Sequence, residues 1–502
     1  MAEIIATYWD YVIEETRIQR LHHRLSSKHR PQAFALEHVR LITMTDDTVQ
    51  PGYTVLVRDG RVAAVGRDGD VRLPPGTRRV DGAGRYLLPG LTDMHTHNLT
   101  TTSQHLLNLA NGVTTVREMD GFAWLLSTRD RIASNELLAP NMYLAGHILN
   151  AFPMGMYATV VEEPTRAREL VREHAAAGYD FIKIHNRIPV EVYEAILDES
   201  RRIGIDVVGH IPHEIRVEQA IREGQRTLEH FKGYIQDWNL ELTPDDYVTP
   251  TRGAEVWNCP TFYTYRTNLR GEEAKQLVEE SPEMRYVSYS DRQQWLKTAN
   301  EEPSEIHQNI INLSKKIFRD LMAIDARFLA GTDSGGGYPF MVSGFGLHDE
   351  LEIMEDLGMS PYEVIKTATT NAADAMREEQ EFGTVTVGRR ADLLMVRENP
   401  LESVRNLATI DGVSVRGTWL SRVDLDEILD SLEAILNPES PEIPPRPPTP
   451  ADIQDVWETL TKLSVEGYVF RDHDLKRLAD AFDRMESPER ARRVRAMMVE
   501  SE

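Results

Sequence analysis

Between Tyr86 and Asp333 the sequence alternates short β-like runs with stretches of helical character, and this alternation restricts the fold more than any other feature. Eight runs read as strands: residues 86–97, 114–118, 142–146, 181–184, 205–210, 227–230, 256–261 and 327–333. Strands that alternate with helices pair in parallel, because each crossover returns the chain to the same end of the sheet. Eight such units predict an α/β fold with a (β/α)8 TIM-type barrel over residues 86–381. The stretch between the seventh and eighth runs is long and charged, which predicts a helical insertion over the barrel mouth.

The flanks read differently. Val39-Arg-Leu-Ile-Thr, Tyr53-Thr-Val-Leu-Val and Arg61-Val-Ala-Ala-Val, punctuated by Asp59-Gly60, have the look of a small antiparallel sheet. A similar pattern returns in Gly383-Thr-Val-Thr-Val-Gly, Ala391-Asp-Leu-Leu-Met-Val and Val413-Ser-Val-Arg-Gly. Residues 34–85 and 382–422 are therefore expected to form one small discontinuous β-sandwich. In the first 33 residues, Ile4, Ile5, Tyr8, Tyr11, Val12, Ile18 and Leu21 recur at helical spacing, predicting a helical extension with His22, His23 and His29 on its surface. Ser360-Pro361 with Glu363 predicts a capped helix running towards Met376. Residues 437–450 are too rich in proline for a regular helix or a central strand, so 423–502 reads as a proline-linked helical C-terminal arm for docking or oligomerisation.

Composition removes several function classes. Among 502 residues, 80 acidic side chains against 56 basic ones leave a net charge of −24, which repels a polyanion and argues against nucleic acid as a partner. Cys259 is the lone cysteine, so neither an intramolecular disulfide nor a thiolate cluster is available. No secretory signal is visible at the start, and no window approaches the roughly 18 apolar residues of a membrane span. The expectation is a cytoplasmic enzyme acting on a small molecule, without membrane or nucleic-acid partners, and homo-oligomeric.

The chemistry collects at the strand ends. His95 and His97 are two apart on the first strand, so both imidazoles face one side and can reach one ion. Alone, such a pair is weak, since two histidines at a loop edge match it equally well. His210 and His230 end the fifth and sixth strands, Asp333 the eighth, and Lys183 stands at the end of the fourth. Barrel enzymes place their reacting groups at this face, and metal-compatible residues at so many strand ends are hard to obtain by chance.

The motifs Gly90-Leu-Thr-Asp-Met-His-Thr-His97, Gly112-Val-Thr-Thr-Val-Arg117, Gly178-Tyr-Asp-Phe-Ile-Lys183, Gly209-His210, Leu228-Glu-His230, Gly331-Thr-Asp333 and Gly383-Thr-Val-Thr-Val-Gly-Arg-Arg-Ala-Asp392 occur in that order. Over residues 34–422 the chain thus resembles the amidohydrolase superfamily, specifically its metal-dependent imidazolonepropionase-like and prolidase-like members. The resemblance implies that His95, His97 and Asp333 hold one divalent ion, that His210 and His230 hold a second, and that Lys183 bridges them as an N6-carboxylated side chain. A lysine made neutral by desolvation and nearby cations is able to take up carbon dioxide and present anionic oxygens, while a plain lysine in an ion pair is the competing reading. Nitrogen and oxygen ligands suit zinc best, and ligand type alone leaves manganese and cobalt open.

The implied function is metal-dependent hydrolysis of a C–N amide bond in a dipeptide, an N-acyl amino acid or a cyclic amide, with Asp333 as the catalytic proton shuttle. The rivals are a mononuclear deaminase of the same superfamily, a lactonase or phosphotriesterase, and a scaffold that keeps only the fold. Tyr234, Tyr263, Tyr265 and Arg266 are candidate substrate contacts, Arg266 as a bidentate grip on a carboxylate. His185 reads as a neighbour of the site or surface; His147, His174 and His213 have weaker claims, with His174 expected on an exposed helix, and His348 and Glu350 are not read as ligands.

Overall fold

The computed structural model describes residues 2–97, 102–154, 158–235, 242–335 and 338–437, together with 490 and 492, the side chains from residue 14 onward. The expected linker after Asn437 and nearly all of the tail lie outside the described residues.

Two parallel sheets occupy the middle of the chain. One runs in the order Ser334–Gly335, Leu91–His97, Val113–Glu118, Asn141–Leu144; the other runs Ala158–Val160, Ile148–Asn150, Phe181–Ile184, Asp206–Gly209, Thr227–Glu229, Trp257–Cys259, Arg327–Phe328. A parallel bridge between Ala145 and Phe181 joins them at one seam. At the other, the Met94 N–H donates to Ala330 O at 2.9 Å and the Asp333 N–H to His95 O at 2.7 Å. Helices separate the strands, and most of them bury an apolar stripe in the main core; Val190–Ile203, for example, turns in Val192, Tyr193, Ile196 and Leu197.

The first strand candidate is two strands. Tyr86–Pro89 belongs to a separate eight-stranded mixed sheet, and after Gly90 the chain enters the parallel layer as Leu91–His97. The mixed sheet takes strands from both flanks, Phe34–Leu41 through Tyr86–Pro89 from one and Leu393–Val396, Ile410–Val415 and Thr418–Ser421 from the other. Its own core gathers Phe34, Leu36, Val55, Leu87, Leu393 and Trp419. Alternation along one run predicted a strand but could not show that its two halves serve different sheets.

Other expectations need correction. Residues 327–333 pair as a ladder only at Arg327–Phe328, and 334–335 pair instead with Leu91–His97, because Asp333 takes a left-handed φ of +60° that turns the chain there. The helix after Ser360 ends at Thr367 and a second begins at Thr370, although the Ser360 cap on the Glu363 N–H is present. His22 is buried, not solvated: its Nε2 lies 2.8 Å from Leu138 O, and burial lowers its pKa to about 4. It reaches the core because Ile18, Leu21 and Leu25 pack the Ala2–Lys28 helix tightly on the body. His174 is likewise buried, packed edge-on against Tyr179. No helix among the described residues is long and apolar enough to cross a membrane.

Candidate metal centre

The carboxyl ends of the parallel strands bring four of the expected ligands to one point. His95 Nε2 and His97 Nε2 each lie 3.2 Å from Asp333 Oδ1. Ligand atoms of His95, His230 and Asp333 all fall within 4.8 Å of one another. Two donors about 2.0–2.1 Å from a common tetrahedral ion stand roughly 3.3 Å apart, so the spacing around Asp333 Oδ1 fits a shared cation. His210 joins this group through ring contacts, 4.9 Å from His230 and 4.1 Å from His185. The structure therefore draws His230 towards His95 and Asp333 as well as towards His210.

Hydrogen bonds set which imidazole nitrogen is free to ligate. His95 Nδ1 lies 2.8 Å from Glu229 Oε2. A carboxylate only accepts, so Nδ1 carries the proton and Nε2 presents its lone pair towards Asp333. His230 Nδ1 lies 2.6 Å from Thr261 Oγ1, whose own hydrogen goes to Pro260 O at 2.8 Å. Thr261 must accept, which leaves His230 Nε2 unprotonated. Asp333 Oδ2 accepts from Thr264 Oγ1 at 3.1 Å. His230, Thr261 and Asp333 all hold positive φ, between 52° and 60°, a strained backbone that persists where the surroundings overdetermine it.

Lys183 is 1 % exposed, and its Nζ has no hydrogen-bond partner. Burial pushes its ammonium down to about 8, although Glu229 and Asp333 favour the charge. Its chain lies flat against Gly209, where a Cβ would meet Ile184 O at 2.3 Å and Lys183 Cδ at 3.0 Å at a φ of +121°. No side chain fits there. Gly331 has a similar role, since a Cβ would come within 2.8 Å of His95 Cβ. Burial holds His210 and His230 well below the ordinary imidazole range, so both are neutral donors near pH 7. For Asp333 burial opposes ionisation, but His230 and His95 outweigh it and hold the carboxyl well below its usual range. The neutral imidazoles of His210 and His230, an ionised carboxylate and a buried lysine nitrogen without a partner make a donor set that fits divalent cations.

A cavity of about 310 Å³ opens above these residues, lined also by His185, Lys232, Thr264, Tyr265 and, from the helix Glu305–Met322, by His307 and Ile310. The insertion thus forms one wall. Of the four expected substrate contacts only Tyr265 reaches this cavity, and its hydroxyl donates to Ser314 Oγ at 2.5 Å. Tyr234 is buried with its hydroxyl on Asn258 Oδ1, 2.7 Å away. Tyr263 is buried, its hydroxyl accepting from the Val342 N–H at 2.8 Å. Arg266 is held by Glu283 and Asp349 at 3.2 and 2.7 Å and lies over the Tyr263 ring. Those ion pairs satisfy the guanidinium away from the cavity, so it does not stand ready for a carboxylate.

The residues below the centre were missed. Arg117 donates to Met94 O, Thr227 Oγ1 and Glu229 Oε1, at 2.6, 3.2 and 2.8 Å. Both Arg117 and Glu229 sit inside motifs quoted above, and two opposite charges at strand ends flanking apolar runs were the available signal.

The model of the amidohydrolase family matches residues 86–420. The chain belongs to the amidohydrolase family. An adenine deaminase of Rubrobacter xylanophilus is 24% identical to this amidohydrolase over 388 residues, 76% of this chain and 56% of that protein. The chain thus spans little more than half the length of that relative. Bottromycin amidohydrolase superposes with a TM-score of 0.68 at 25% identity, covering 83% of this chain and 93% of the other. An Xaa-Pro dipeptidase structure with methionine in its active site shares the fold, with a TM-score of 0.60 at 20% identity over 78% of this chain and all of that one.

Proposed function

We propose that the protein is a metal-dependent hydrolase that cleaves a C–N amide bond in a small molecule. We read the two parallel sheets, joined at both seams, as one (β/α)8 barrel, and the mixed sheet as a composite flanking domain over 34–85 and 382–422. The observation that carries the functional reading is the convergence of His95, His97, His230 and Asp333 beside the buried, unpartnered nitrogen of Lys183. His95, His97, His210, His230 and Asp333 would hold two divalent ions, zinc by donor type, and Lys183 would bridge them as a carbamate. Such ions, when bound, lower the pKa of water and polarise a carbonyl.

The chain's own residues supply the rest. Asp333 Oδ2, anchored by Thr264, takes a proton from the attacking water and passes it to the leaving nitrogen. Glu229 and Thr261 fix the tautomers of His95 and His230, so both present an unprotonated Nε2 towards Asp333. The insertion adds His307 and Ile310 to the cavity wall.

A second reading is a mononuclear deaminase, favoured by the grouping of His95, His230 and Asp333 as one three-ligand set. Metal analysis of reconstituted protein, run with a screen for released amine and for ammonia, separates the two. Two equivalents of metal with amine release from an amide supports the first reading. One equivalent at full activity, with ammonia from an aminated heterocycle, overturns it in favour of the second.

A further inference from the structure

A second cavity shares no lining residue with the one above the metal centre. It holds about 220 Å³ where the end of the Ala2–Lys28 helix meets the mixed sheet and the start of the Arg422–Leu436 helix. In a chain with 80 acidic side chains against 56 basic ones, the described residues lining it include three cations, Lys28, Arg30 and Arg78, and a single carboxylate, Asp424. Lys28 is matched by its neighbours, 2.5 Å from Glu427 Oε2 and 3.5 Å from Asp424 Oδ1. Asp424 is held as well, its Oδ2 accepting from the Ser421 N–H at 3.0 Å and from Ser421 Oγ at 2.6 Å. The guanidiniums are not. Arg30 gives Nη1 to Asn135 O, a neutral carbonyl, and neither it nor Arg78 forms an ion pair among the described residues. His29 lines the same space with its side chain 8% exposed. Its Nε2 is buried without a hydrogen-bond partner, and Asp424 Oδ1, at 3.8 Å, is too far to accept. Burial first, and then the Lys28 and Arg78 charges, lower the pKa of this ring against the pull of Asp424 and Glu427.

Two planar guanidinium forks without a counter-anion, around a buried ring nitrogen that no hydrogen bond reaches, fit an oxyanion. Gln32 and Thr418 add a side-chain amide and a hydroxyl to the wall. These donors come from three segments: the chain at the helix end, the strand Arg78–Asp81 and the strand Thr418–Ser421. They suit the tetrahedral spread of phosphate oxygens better than the two coplanar oxygens of a carboxylate. The space exceeds the about 150 Å³ that holds benzene, which leaves room beside a phosphate for a small body attached to it. We propose that this cavity is a binding site for a phosphate group, free or as the monoester of a small molecule, with Arg30, Arg78 and His29 as its donors. Its occupant ties the end of the N-terminal helix to the mixed sheet through Arg30 and Arg78. The site stands apart from the hydrolase reading and does not depend on it.

The test uses the metal-loaded full chain in chloride buffer, with inorganic phosphate and glycerol phosphate as probes and acetate as the control. Calorimetry should find a saturable phosphate component that Arg78→Met weakens about 10- to 100-fold, the range expected for a charge-assisted hydrogen bond, and that Arg78→Lys weakens less. His29→Leu should weaken the same component about tenfold. Arg78 is exposed, so its substitution leaves the core intact and decides the test should His29→Leu fail to fold. Phosphate held by ions at the metal centre is indifferent to Arg78. Binding that is unchanged in Arg78→Met therefore overturns the proposal, as do the absence of any saturable component and acetate bound as tightly as phosphate. Glycerol phosphate separates the two sources: bound as well as phosphate, it assigns the cavity to a monoester, and excluded, it assigns the cavity to the free ion.

Discussion

Arg117, Thr227 and Glu229 lie just below His95 and His230, yet the two layers treat their polar atoms in opposite ways. In the lower layer each donor meets an acceptor: Arg117 reaches Met94 O, Thr227 and Glu229, and Glu229 answers both Arg117 and His95. In the upper layer Lys183 Nζ, His185 Nδ1 and His210 Nδ1 are buried with no hydrogen-bond partner. Folded proteins rarely leave such atoms unmatched, and in the proposed reading those of the upper layer are the ones that meet something bound. The lower layer positions; the upper layer is where the proposed reading places ions and substrate.

The comparison breaks most severely at Asp333, which the proposed function assigns to the upper layer and the geometry to the strand end. Asp333→Asn keeps the volume and removes the carboxylate proposed as proton shuttle. Turnover of a confirmed substrate should fall about 10²–10⁴-fold, the usual worth of a positioned acid–base group, with little change in the urea midpoint. Metal content is measured alongside, since a lost ion would mimic a lost base. A variant that keeps its metals and turns over at near wild-type rate would remove Asp333 from the chemistry.

In the lower layer the expected loss is of stability. Glu229→Ala strands the Arg117 guanidinium, 2 % exposed, without its anion. Breaking a buried pair on one side costs about 3–5 kcal/mol, so urea unfolding of the metal-free protein should shift by that order. His95 would also lose the acceptor that fixes its tautomer, so metal affinity should fall in the same variant. A variant with wild-type stability would mean that the layer is dispensable and that the comparison drawn here is only geometric.

The upper layer was more legible in the sequence than the lower. His95, His97, His210, His230 and Asp333 announce themselves because a polar residue ending an apolar run stands out against its own strand. Arg117 and Glu229 occupy similar positions, but pairing across strands hides them: nothing in a linear pattern says that residue 117 meets residue 229. Arg266 misled for the same reason, since Glu283 and Asp349 are remote in sequence and adjacent in space. In the fold, alternation located the parallel strands, while the division of 86–97 between two sheets at Gly90 depends on tertiary packing that periodicity does not carry. The short strands Ile148–Asn150 and Ala158–Val160 were invisible because three residues show no period. His307 and Ile310, three apart on one helix face, were readable as a pair, but not as the wall of a cavity.

The smallest effect sharpens the contrast through pH. Lys183 has its pKa lowered from 10.5 to about 8, chiefly by burial. Between those values the unfolded chain holds the proton and the folded chain releases it, so folded-state stability rises with pH across that window. Below pH 8 both states are protonated and the full cost of burying the ammonium remains. The shift corresponds to roughly 3 kcal/mol as an upper figure. Lys183→Met removes this contribution, so the stability of wild-type relative to variant, both metal-free and in buffer purged of carbon dioxide, should climb towards that amount from about pH 8 to 10.5. Taking the difference between the two proteins cancels the titration of groups that do not feel the Lys183 charge, and His185, His210 and His230, which do, are neutral throughout this window. A flat difference in the metal-free pair would mean that the Lys183 nitrogen finds a partner in solution, and the upper layer would then be as complete as the lower one.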